Sequence, residues 1–175
     1  MFTLIEIFDS KQYENIISPV SLDNISKIIY IGTESTMTKD KVRNTRNFFT
    51  KINYGVPLEF HFVERDNTNS VISVLEKLIE SNKNCILDVT GGEDVLLVCT
   101  GIVAQRHSLP LIRTDAKSGQ FSVICASADN LKTKKTALDV SDFITLQGGK
   151  IRSSEYIKGF SADDSADLKK LFLVE

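Results

Sequence analysis

The sequence predicts an α/β domain: a doubly wound, mainly parallel sheet with a C-terminal β-hairpin. Three observations carry that expectation. Short β-rich runs alternate with segments of helical period along most of the chain, the pattern of strand–helix–strand units. The run Lys27 to Ile31 (Lys-Ile-Ile-Tyr-Ile) is nearly all apolar, as a parallel strand covered on both faces must be. The stretch Cys85-Ile86-Leu87-Asp88-Val89-Thr90-Gly91-Gly92-Glu93-Asp94 reads as a buried strand, a tight turn and the start of a helix.

Taken in order, Phe2 to Phe8 is an apolar first strand whose only charge is Glu6. Tyr13, Ile16 and Ile17 form one face of a short helix expected to end before Pro19, because proline removes a helical N–H. Lys27 to Ile31 empties into the polar loop Gly32-Thr33-Glu34-Ser35-Thr36. Thr38 is placed to cap a helix carrying Val42, Thr45, Phe49 and Ile52 on one face, ended by Gly55 and Pro57. Leu58 to Val63 alternates as a third strand, and Asp66 to Asn69 offers caps for a helix with the stripe Val71, Val74, Leu75, Leu78 and Ile79. After Thr90-Gly91-Gly92 the helix from about Glu93 to His107 is apolar almost all round, so it needs partners on more than one side. Leu111 to Thr114 and Phe121 to Cys125 pair as a hairpin across Lys117 to Gln120. A short helix near Val140 to Leu146 ends at Gly148-Gly149.

Composition narrows the function. A formal charge of −2 gives no overall pull toward long nucleic acid. No apolar run approaches the roughly 20 residues that cross a bilayer, and no basic-then-apolar leader opens the chain. Cys85, Cys99 and Cys125 are odd in number and widely spaced in apolar runs, without His/Cys pairing. They read as buried thiols of a cytoplasmic protein, with no metal expected. The dinucleotide fingerprint, the phosphate loop and the nucleophile elbow are all missing. No cofactor is therefore expected. His61 and His107 read as strand-face and helix-end residues rather than catalytic ones.

Ligands of such sheets bind at the carboxyl ends of strands. Three polar loops fall there: Asp9 to Gln12, Gly32 to Thr36 and Thr90 to Asp94. Gly91 and Gly92 let backbone approach a ligand closely, and the N–H groups of the helix that follows face the same loop. An anion cradle is one reading of that turn. A packing turn that needs small residues and binds nothing is the other.

The passage Asp88-Val89-Thr90-Gly91-Gly92 resembles the signature of CARF domains, the CRISPR-associated Rossmann-fold sensors, and is closest to the branch fused to a nuclease. Ser10-Lys11-Gln12-Tyr13-Glu14-Asn15 is similar to the first loop of that branch, and Asp142 to Gly149 to its exit segment. The resemblance covers residues 1–150 and leaves 151–175 as a linker and a helix from Ser161 to Leu173, too short for an effector domain. It implies a Rossmann-like homodimer, packed partly through the helix after Thr-Gly-Gly. Across its two-fold axis the dimer would bind cyclic oligoadenylate, with the tetra-adenylate favoured. The signal would pass to an effector that is C-terminal or separate. Ring cleavage in the same pocket, a Rossmann-like domain that handles another nucleotide or nucleic acid, or a purely structural dimerisation domain are the alternatives. Carried over, Thr90, Gly91 and Gly92 would hold phosphate or ribose, Ser10 and Gln12 would contact ribose or base, and Thr33, Glu34 and Ser35 would line the pocket. The branch has Thr-Lys where this chain has Glu93-Asp94. Two carboxylates there oppose a phosphate: either its charge is met by other residues, with Lys11, Arg46 and Arg113 as candidates, or the ligand differs, or binding has been lost.

Overall fold

Strand β1 (Phe2–Ile7) lies inside the sheet, and the other strands are added outward from it. The computed structural model describes residues 1–115, 117–134 and 138–150. β2 (Ile25–Gly32) and β4 (Cys85–Asp88) flank β1 in parallel, and β3 (Leu58–Phe62) lies outside β2. β5 (Leu111–Thr114) lies outside β4, and β6 (Phe121–Cys125) closes that edge antiparallel to β5. The resulting order, β3-β2-β1-β4-β5-β6, reverses direction between β1 and β4. The carboxyl ends of those two strands therefore flank the crevice where open sheets bind ligands.

Alternation along each strand splits the core in two. Leu4, Phe8, Ile28, Tyr30, Ile86 and Ile112 face α1 (Glu14–Ser21), α2 (Lys39–Lys51) and α5 (Val140–Leu146). Ile5, Ile7, Ile29, Ile31, Leu87 and Leu111 face α3 (Thr68–Ser81) and α4 (Asp94–His107). Each fully buried aliphatic chain contributes about 1.5–3 kcal/mol, so strands that are apolar on both sides commit the chain to this three-layer arrangement. The predicted caps form: Thr38 accepts from the Lys41 N–H at 3.4 Å, and Asn67 from the Ser70 N–H at 3.0 Å.

One expectation fails instructively. α1 does not stop before Pro19 but continues to Ser21. Proline at that position removes the N–H that would bond to the Asn15 carbonyl one turn back. The Tyr30 hydroxyl donates to that carbonyl instead, at 2.6 Å, from inside the core. The Pro19 carbonyl in turn accepts from the Tyr54 hydroxyl at 2.6 Å. A tertiary donor replaces the missing helical one, which no local pattern announces. The expected helix from Ser161 to Leu173 and the region beyond residue 150 lie outside the described residues.

Candidate functional site

The Thr90-Gly91-Gly92 turn sits on a buried polar row. In register across four strands run Tyr30, Glu6, Asp88 and Ile112, all on the face beneath α1. Glu6 is 1% exposed and Asp88 is fully buried. Both oxygens of Glu6, and Oδ2 of Asp88, lack a hydrogen-bond partner among the described residues. Burial, reinforced by the neighbouring Asp88, holds the Glu6 carboxyl well above the usual range. Burial likewise pushes Asp88 up to about 6, against the pull of hydrogen bonds from Ser18 and Thr90. The sequence shows these two acids only as charges inside otherwise apolar strands; their adjacency needs the strand order.

Asp88 Oδ1 organises the turn. It accepts from the Thr90 N–H at 2.7 Å and from the Thr90 hydroxyl at 2.5 Å. Thr90 Oγ1 then accepts from the Thr114 N–H at 2.8 Å and lies 3.1 Å from Ser18 Oγ. The threonine of the turn thus ties β4, α1 and β5 together. The two glycines are equally constrained. A Cβ on Gly91 would meet Asp9 Cβ at 2.9 Å and crowd the Glu14 carboxylate, while one on Gly92, at φ +129°, would overlap Ile7. The Gly92 N–H donates to Asp9 Oδ2 at 2.6 Å. A carboxylate of the protein itself fills the anion position of the turn.

Asp9 is held in place by its own loop. Its Oδ1 accepts from the Lys11 N–H at 2.6 Å and from the Ser10 hydroxyl at 3.3 Å. Asn15 clamps its backbone, Oδ1 accepting from the Asp9 N–H at 2.6 Å and Nδ2 donating to the Asp9 carbonyl at 3.0 Å. Ser10 and Lys11 are exposed on this loop, and Lys11 Nζ lies 3.5 Å from Glu14. Gln12 is buried, with Oε1 unpartnered among the described residues.

Glu93, one of the two carboxylates after the turn, is paired within the protein. It accepts a short hydrogen bond from the Thr33 hydroxyl and pairs with Arg65 Nε at 3.0 Å. Its charge is therefore balanced by a guanidinium from the β3–α3 loop, and it stitches the ends of β2, β3 and β4 together. Asp94 stands exposed in the first turn of α4. Beside this bridge opens a cleft of about 1190 Å³ lined by Thr33, Glu34 and Ser35 from one side and by Phe62 to Ser70 from the other. The predicted residues thus form two groups. Thr33, Glu34 and Ser35 line the cleft, and Glu93 joins them. Thr90, Gly91 and Gly92 are packed against the Asp9 loop beside Ser10, Lys11 and Gln12. Arg113 stands apart, exposed on β5 opposite Ser122, and Arg46 lies 4.6 Å over the Phe60 ring. Asp9 and Asn15 lie in the first loop and motif that the sequence singles out, but the Asp9 bond to Gly92 and the Asn15 clamp were missed, as was the β3–α3 loop with Phe62 and Arg65. The polar run after a predicted strand was a signal for the last of these.

A doubly wound, mainly parallel six-stranded sheet with a Thr-Gly-Gly turn at its switch point defines the class: this is an α/β Rossmann-like fold. Several solved structures are similar to it. Protein VC1899 from Vibrio cholerae matches at TM-score 0.69 and 15% identity over 84% of this chain and 39% of its own. Can2 from Sulfobacillus thermosulfidooxidans, solved in complex with cyclic tetra-adenylate, matches at TM-score 0.69 and 15% identity over 98% of this chain and 49% of its own. A type III CRISPR defence DNA nuclease activated by cyclic oligoadenylate matches at TM-score 0.52 and 11% identity, over 83% of this chain and 23% of its own. The chain spans half or less of the length of each. No family model and no curated protein sequence matches it.

Proposed function

We propose that the chain is the sensor module of a homodimeric, cytoplasmic protein of type III CRISPR antiviral signalling. It binds cyclic oligoadenylate, with the tetra-adenylate favoured, and regulates an effector that is C-terminal or separate. Residues 1–150 form the sensing unit, and 151–175 lead toward the effector. The observation that carries this is the clustering of the Asp9, Thr33 and Thr90 loops at the carboxyl ends of adjacent parallel strands, with the Gly92 N–H joined to Asp9 and Glu93 joined to Thr33. The fold it shares with a protein solved bound to cyclic tetra-adenylate supports the ligand class. Val98 and Ile102 stand exposed on α4, and an apolar helix face next to the site supports a two-fold partner there. Ser10, Lys11, Gln12, Thr33, Glu34, Ser35, Glu93 and Asp94 are the proposed ligand-facing set, with Thr90, Gly91 and Gly92 as its floor and Arg113 at its margin.

The test is titration of the purified protein with cyclic tri-, tetra- and hexa-adenylate. Thermal shift follows binding, and chromatography of the nucleotide follows its fate. Stabilisation with an intact ring is the expected result, greatest for the tetra-adenylate. A linear product would point to ring cleavage. Folded dimer that no ring stabilises refutes the proposal.

A further inference from the structure

The cleft over the β2 and β3 ends has a composition that the three polar loops alone do not explain. Phe62, the last residue of β3, is 53% exposed there. Phe60, two residues earlier on the same strand face, packs its ring on Phe8 and Tyr30 and lies under Arg46. The Phe62 ring makes no such aromatic or cationic contact among the described residues. The ring therefore presents a flat apolar surface at the mouth of an otherwise polar cleft.

Arg65 stands beside it. Glu93 engages its Nε at 3.0 Å, and its terminal nitrogens carry no hydrogen bond among the described residues. That leaves the outer edge of the guanidinium, two parallel N–H groups, to a second anion. Asn67 and Ser70, on the same wall, supply neutral donors and acceptors. The cleft is thus built with a flat apolar surface, a two-pronged cation and amide and hydroxyl groups. That combination matches a nucleotide: base on the ring, phosphate on the guanidinium, ribose along the polar wall. The guanidinium comes from the neighbouring loop and offsets the carboxylate of Glu93 at the edge of this cleft.

We infer that Phe62 and Arg65 form a nucleotide subsite of this protein, Phe62 stacking on an adenine and Arg65 binding the adjoining phosphate, with Glu93 holding the guanidinium in position. The inference rests on the proposed ligand class and adds residues outside the sequence-predicted set. Both side chains are largely in solvent, so their replacement leaves the fold intact, which the melting temperature of each ligand-free variant checks.

The experiment measures affinity for cyclic tetra-adenylate in the native protein and in Phe62→Ala, Phe62→Tyr and Arg65→Ala. Saturation-transfer and chemical-shift mapping with adenosine 5′-monophosphate run beside it. Loss of base stacking is expected to weaken binding about 5- to 150-fold in Phe62→Ala, with near-native affinity restored in Phe62→Tyr. Arg65→Ala is expected to weaken binding and to flatten its salt dependence. If the native protein binds the ring and all three variants bind it equally, the subsite is refuted and the sensor proposal stands. If the native protein binds no ring, the sensor proposal fails and the monophosphate decides the subsite. Shifts confined to Phe62, Arg65 and the surrounding wall support it, and their absence overturns it.

Discussion

Replacing Asp88 by Asn should change how stability depends on pH more than how much stability there is. The amide keeps an oxygen in the place of Oδ1, so both hydrogen bonds from Thr90 can persist. What disappears is the ionisation. In the native state burial moves this carboxyl from its ordinary 3.8 up to about 6. A shift of that size costs about 3 kcal/mol once the group is charged, and full burial leaves little solvent to relieve it. The sign follows from proton linkage. Between the two values the folded state holds the proton and the unfolded state does not, so stability falls as pH rises through about 6 and the penalty is complete above it. Below 3.8 both states are protonated and the penalty vanishes.

The melting temperature of Asp88→Asn relative to the native protein should therefore rise between pH 4.5 and pH 8. About 2 of the 3 kcal/mol develops across that window, because the unfolded carboxyl is already largely ionised at pH 4.5, so the expected change is about 4–8 °C at about 2–4 °C per kcal/mol for this chain length. Using the difference between two proteins cancels every other titrating group except Glu6, whose carboxyl is raised partly by Asp88. Adding Glu6→Gln should remove the remaining slope that belongs to the pair. Thermal melts by circular dichroism at half-unit pH steps suffice. Parallel curves for the native and Asp88→Asn proteins would refute the buried-pair account.

Gly92→Ala should destabilise by about 1–3 kcal/mol, since the new methyl overlaps Ile7 at a positive φ; a chemical-denaturation midpoint equal to the native one would count against it. Thr90→Val keeps the shape but strands the Thr114 N–H and one bond to Asp88, an expected loss of about 1–3 kcal/mol by urea unfolding. Tyr30→Phe should cost a similar amount by uncapping the Asn15 carbonyl, unless water enters to replace the hydroxyl, in which case the denaturation midpoint will hardly move. Val98→Asp with Ile102→Asp should leave a folded monomer in sedimentation if α4 is the dimer face, and an unchanged dimer would relocate that interface.

Strand positions were legible because burial on both faces leaves runs such as Ile28 to Ile31 with almost no polar residue. Caps were legible because Thr38 and Asn67 satisfy N–H groups only a turn away. The Thr-Gly-Gly turn stood out for the same local reason. What occupies its anion position did not, because Asp9 and Gly92 lie 83 residues apart and meet only through the pairing of β1 with β4. The partners of Glu93 were hidden for a related cause. Its sequence neighbours suggest a repelling carboxylate, whereas its partners Thr33 and Arg65 come from two other loops. The helix through Pro19 likewise depends on a hydroxyl from β2.

Asn15 has a consequence for how the first loop can move. Its side chain grips both backbone groups of Asp9, while its own carbonyl is held by Tyr30 in the core. A displacement of Asp9, and with it of the Gly92 contact, must strain Asn15 before any neighbouring residue yields. The Asp9 amide should therefore be among the slowest of any loop N–H to exchange with deuterium, opening only when α1 lifts from the sheet. A loop at the rim would then report the integrity of the molecule's centre, and anything that pulls on it from outside would be felt first at Tyr30.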